Sequence, residues 1–173
     1  MAKQSGDSEM AQIKITTAEI EKHLTLLEQT PVRITAACSD LDEISLHNSP
    51  DSREWSAIQI LSHLRGCEEL WSFSIYAMLA QAEPMLPLLD ERKWAKTAGY
   101  ERLNFHDSFQ AFSLKRGELL KVLRPLPLES WSRRADIGGR THTVFSRVRL
   151  MALPEDVHCQ QMEYVVYGFT QAG

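Results

Sequence analysis

Cysteine is scarce in this chain, positive charge is not in excess, and no apolar run is long. The three cysteines, Cys38, Cys67 and Cys159, have no paired spacing, and an odd count argues against a disulfide framework. A reducing, cytoplasmic setting is therefore expected. The net charge is −4 and no basic block occurs, so a nucleic-acid partner has no electrostatic footing. No apolar run approaches the roughly 20 residues of a membrane-spanning helix. Residues 1–9 carry no apolar segment of the kind an export signal needs. Neither nucleic acid nor membrane is expected as a partner. The chain also lacks a nucleophile elbow, a P-loop, a dinucleotide fingerprint, internal repeats and low-complexity tracts.

What remains is an ordinary globular mixture: 173 residues, 43% apolar and 24% charged, enough for one domain with one sizeable core. Residues 1–11 are polar and read as a disordered tail, leaving residues 12–173 as a single helical domain. Four helical patterns follow. The first starts at the capping box Thr16-Thr17-Ala18-Glu19 and keeps Ile20, Leu24, Leu27 and Ile34 on one stripe, with a kink or restart expected at Pro31. Asn48-Ser49-Pro50-Asp51 reads as a loop. The second opens with Ser56-Ala57-Ile58-Gln59 and lines up Ile60, Leu64, Trp71, Ile75 and Met78. A short charged segment, Leu89 to Ala95, is expected to cross one end of the domain. The third runs from about His106 to Leu123, and the fourth from about Thr143, with Phe145, Val148, Ala152, Cys159, Met162 and Val166 three and four apart. Gly138-Gly139 leaves room for a short hairpin within residues 132–141. Four amphipathic helices of this length predict an all-α four-helix bundle.

Three stripes carry a charge where an apolar residue belongs: Glu68 in the second, Arg116 in the third and Glu155 in the fourth. Burying a lone charge is costly, so Arg116 is expected to reach Glu68, Glu155 or both. His63 and His158 border the apolar faces of the second and fourth helices, each near one of these glutamates. His23, His47, His106 and His142 have no helical partner at ligand spacing and read as surface residues. Trp55, Trp71, Trp94 and Trp131 read as packing groups, and Cys67 and Cys159 as small core residues. Residues four apart on a helix share a face and can share a metal, but the residue four before His158 is Pro154, which offers no donor.

Trp55-Ser56-Ala57 leads into Ile60-Leu61-Ser62-His63-Leu64 and Glu68, and Asp90-Glu91-Arg92 is followed by Trp94. Phe112 stands ahead of Leu114-Lys115-Arg116, and Met151-Ala152-Leu153 is followed by Glu155, His158 and Gln161. In the order and spacing of these residues, over residues 16–166, the chain resembles the DinB-like superfamily. The resemblance implies metal-dependent enzymes built on a four-helix bundle. It also implies a site of three histidines holding nickel, zinc or a similar divalent ion. His63 and His158 match two of them, and Pro154 stands where the third should be. The chemistry it implies is transfer to small thiols and thiol-dependent isomerisation, in which a metal lowers a thiol's pKa.

That departure has physical consequences. Two imidazoles alone make a weak, open site. A proline removes one helical hydrogen bond and frees the carbonyl of Leu150, and a bend there would swing Glu155 or Asp156 into the vacant place. The result would be a two-histidine, one-carboxylate site of a type known for iron or zinc. The reading adopted is a degenerate divalent-metal site, for zinc, nickel or iron, in a protein that binds a small molecule. Two alternatives stay open. One is a metal-dependent hydrolase or thiol S-transferase using His63, His158 and a carboxylate. The other is a non-catalytic structural module that forms a homodimer.

Overall fold

A computed structural model describes residues 15–49 and 51–170. The tail expected over residues 1–11 lies outside the described residues, as does Pro50 of the expected loop. Among the described residues the chain forms six helices: α1 (Thr17–Cys38), α2 (Glu43–His47), α3 (Ala57–Ala80), α4 (Glu91–Ala98), α5 (Phe105–Leu123) and α6 (Val144–Thr170). The long helices α1, α3, α5 and α6 are the four the sequence predicts, and they make the bundle. No described helix is long and apolar enough to cross a membrane.

Side chains fix the helix starts. Thr16 Oγ1 accepts from the Glu19 N–H at 3.2 Å, and the Ser56 N–H donates to Gln59 Oε1 at 2.9 Å. At α6 the device is reciprocal. Thr143 Oγ1 accepts from the Ser146 N–H at 3.0 Å, and Ser146 Oγ accepts from the Thr143 N–H at 2.9 Å.

Neither internal proline ends its helix. The expected restart at Pro31 does not occur, and α1 continues through it to Cys38. Buried residues on both sides of the proline, Leu24 and Leu27 before it and Ile34 and Cys38 after it, hold the two halves on one core. Likewise α6 remains one helix through Pro154.

A small three-stranded sheet accompanies the bundle. The anticipated hairpin is present as β2 (Arg134–Ile137) and β3 (Arg140–Thr143), and Gly138 and Gly139 turn it with φ of 60° and 82°. Left-handed backbone at both turn positions is why glycine stands there. The unforeseen strand is β1 (Met85–Leu86), parallel to β2, with Met85 opposite Asp136 and Leu86 opposite Ile137. A two-residue strand between prolines is too short to show a period of two. Arg133 bolts this sheet to the end of α3, donating to the carbonyls of Met78 at 2.6 Å and Gln81 at 3.0 Å.

The core falls into two apolar clusters with a layer of charge between them. One cluster includes Leu24, Leu27, Ile75, Met78, Leu119, Trp131 and Met151. The other includes Ile34, Ile60, Leu64, Phe105, Phe112, Met162 and Val165. Each fully buried aliphatic or aromatic side chain contributes about 1.5–3 kcal/mol relative to exposure. Between the clusters lie Thr30 of α1, Glu68 of α3, Arg116 of α5 and Glu155 of α6, all buried. One histidine also departs from expectation. His23 is buried rather than on the surface, its Nδ1 hydrogen-bonded to the Glu19 carbonyl at 2.6 Å and its ring edge-on to Phe145.

Candidate functional site

Helices α3 and α6 run antiparallel, and their facing residues form a ladder. Arg147 donates to Ser74 at one rung, Glu68 and Glu155 share Arg116 at the next, and His63 meets His158 at the third. The two imidazole centroids are 4.8 Å apart with planes at 77°. Trp55, read from sequence as a packing group, belongs to this cluster. Its ring stacks on His158 at 6.4 Å and meets His63 edge-on at 5.7 Å. A tryptophan just ahead of a helix carries no periodic signal, which is why sequence missed its place.

The environments of the two histidines differ. Burial, then the neighbouring His158, then Arg92 push the His63 pKa down to about 4. His63 is therefore neutral at physiological pH and can act as a lone-pair donor. Gln161 Oε1 lies 3.3 Å from His158 Nδ1, an arrangement that favours the proton on Nδ1 and the lone pair on Nε2. One turn beyond His63, Cys67 Sγ lies 3.6 Å from His63 Nε2. Burial raises the Cys67 pKa well above the ordinary thiol range, so this sulfur is held as a thiol.

Position 154 is an exposed proline within α6, without a donor atom. Both carboxylates considered for the vacant place are engaged elsewhere. Asp156 accepts from Arg33 at 2.6 Å and from Gln160 at 3.1 Å, on the α1 side of α6. Glu155 is buried and accepts from Arg116 at 2.7 and 2.9 Å and from Thr30 at 2.9 Å. Among the described residues no group of three or more His, Cys, Asp or Glu side chains is arranged to hold a metal ion. The donors present therefore do not fit the three-histidine centre that the resemblance implies.

Below the histidines, Arg116 uses every N–H of its guanidinium. Nε and Nη2 donate to Glu68 Oε2 at 3.0 and 2.6 Å, Nη2 and Nη1 to Glu155, and Nη1 to the Leu27 carbonyl at 2.9 Å. Ser72 donates to the other Glu68 oxygen at 3.1 Å. Two carboxylates share one cation here, so burial and the Glu155 charge raise the Glu68 pKa against the pull of Arg116. The network joins all four long helices, since Thr30 and Leu27 lie on α1.

Beside His63 opens a cleft of about 210 Å³. Trp55, Gln59, Ser62 and His63 line one wall, and Arg92, Ala95 and Lys96 of α4 line the other, with Glu101 at the rim. Gly66 sets the approach of α4 to α3, because a Cβ there would come within 2.6 Å of the Glu91 carbonyl oxygen. The charged crossing segment expected from the sequence is thus a wall of this cleft.

Fold and site together define a four-helix bundle with a histidine pair at one end of its α3–α6 seam. The chain belongs to the DinB superfamily, which it matches over residues 26–162. Two solved structures share its fold. One, YfiT from Bacillus subtilis, is described as a probable metal-dependent hydrolase with an unusual four-helix bundle topology. It has 16% identity and a TM-score of 0.79, with 92% of each chain covered. The other, a mycothiol-dependent maleylpyruvate isomerase, has 15% identity and a TM-score of 0.65, with 83% of this chain and 60% of that one covered. No curated protein matches the chain.

Proposed function

We propose that this chain is a DinB-superfamily binding protein, in which a degenerate divalent-metal site reduced to His63 and His158 stands beside a small-molecule cleft. One observation supports this above the others. The two imidazoles are in contact at 4.8 Å, yet Pro154 has no donor, and Glu155 and Asp156 are each held by an arginine. Pulling Glu155 to the histidines would strip a buried guanidinium of a partner, a loss of several kcal/mol. The rebuilt two-histidine, one-carboxylate centre is therefore disfavoured, and with it the hydrolase or S-transferase reading. The neighbours' metal and thiol chemistry remains a property of those proteins.

Calorimetric titration of zinc and nickel into chelator-treated protein tests this reading. Binding weaker than about 10 µM is expected for a two-imidazole site. Tight one-to-one binding would promote the metalloenzyme reading in its place.

A further inference from the structure

The cleft between α3 and α4 is chemically biased. Arg92 and Lys96 stand four apart on α4 and so project from one face, and neither has a carboxylate partner among the described residues. The Arg92 guanidinium lies 5.1 Å over the Trp55 ring, which leaves a flat cation–aromatic corner at the mouth. Glu101 at the rim is the one acid among the lining residues, so the lining carries a single net positive charge. The floor holds a second, independent signal. Ser62 lines the cleft and is 1% exposed, and its buried hydroxyl has no hydrogen-bond partner among the described residues. A helical serine usually satisfies itself on the carbonyl four residues back, and this one does not. An unpaired buried hydroxyl is costly, and a bound oxygen would relieve it. Beside it, Gln59 has its Oε1 held by the Ser56 N–H, which leaves its NH₂ as a donor.

We propose that this cleft binds a small monocarboxylate with a flat, unsaturated body, its carboxylate between Arg92, Lys96 and the Ser62 hydroxyl and its body against Trp55. The inference rests on the reading of the cleft as a small-molecule site and names the ligand class. One net positive charge suits a monoanion, the indole wall suits a planar body, and the volume is smaller than that of a drug-sized pocket.

Benzoate and its neutral counterpart benzyl alcohol, titrated into the protein at about pH 7, separate the possibilities. The readouts are the Trp55 indole N–H resonance, assigned with Trp55→Phe, and saturation-transfer NMR. Benzoate is expected to shift that resonance saturably, with benzyl alcohol about tenfold weaker, as a charge-assisted contact demands. The double variant R92Q/K96Q, on exposed positions, is expected to melt like the parent and lose the benzoate preference. Ser62→Ala is expected to weaken benzoate severalfold. Equal binding of both probes overturns the charge assignment and leaves a neutral small-molecule cleft standing. An undiminished benzoate preference in R92Q/K96Q overturns it too. No shift with either probe overturns the inference outright, while the metal titration still decides the reading of the histidine pair.

Discussion

Arg116 Nη1 donates to the main-chain carbonyl of Leu27 at 2.9 Å. In an uninterrupted α-helix that carbonyl would accept from residue 31, but residue 31 is proline and has no N–H. The helix breaker in α1 thus supplies the acceptor that completes the guanidinium on α5. Thr30, the preceding residue, donates to Glu155 in the same layer.

Arg116→Ala should leave two buried carboxylates and the Leu27 carbonyl without their cation. A loss on the order of 3 kcal/mol is expected from urea denaturation. Glu68→Gln should be far milder, because it removes the excess negative charge and leaves Arg116 paired with Glu155. An Arg116→Ala midpoint equal to the parent's would show that the layer contributes nothing to stability.

Pro154→His restores an imidazole one turn before His158 and the helical N–H that proline lacks. Zinc or nickel should bind this variant far more tightly than the parent, and adding His63→Ala should abolish the gain. Calorimetry on chelator-treated protein measures both. A parent already as tight as the variant would mean that another side chain completes the site.

Acid should destabilise the fold through His63. Its pKa falls from an ordinary 6.5 to about 4 on folding, so the unfolded chain binds the proton more readily between those values. Stability from this group is fully present above pH 6.5 and is lost as the pH falls towards 4. The raised Glu68 works the other way, its contribution present at low pH and lost as the pH rises through its folded value. Thermal melts of parent and His63→Asn across this range should diverge progressively on the acid side. Parallel curves would mean that His63 protonates freely in the folded state.

The thiols should be slow to react. Burial pushes Cys38 up to about 12 and Cys159 to about 11, and raises Cys67 as well. At about pH 7.5 a disulfide reagent should modify native protein slowly and all three cysteines at once after denaturation. One fast equivalent in the native state would single out Cys67, beside His63, as an activated nucleophile.

Periodicity made the four long helices legible, and the in-register charges at 68, 116 and 155 made the ionic layer legible, because both are one-dimensional signals. The meeting of His63 and His158 was legible only through their matching borders on two stripes. The cleft was not. Trp55 and Ser62 act through neighbours distant in sequence, and Gly66 matters only because a backbone from residue 91 passes over it. The buried His23 was missed because its partner is a carbonyl of its own helix. Strand β1 was missed because its partner lies about fifty residues further along the chain.

The parallel pairing of β1 with β2 gives the bundle a mechanical asymmetry. It ties the outgoing end of α3 to the incoming end of α6, while His158 lies about four turns further along α6, roughly 21 Å from that tie at 1.5 Å per residue. Between the tie and the histidines the two helices are cross-braced twice, by Arg147 on Ser74 and by Arg116 held between Glu68 and Glu155. The imidazole pair thus stands at the open end of a braced frame, and its spacing is set by the nearest brace, the Arg116 layer about one turn away, rather than by the distant sheet.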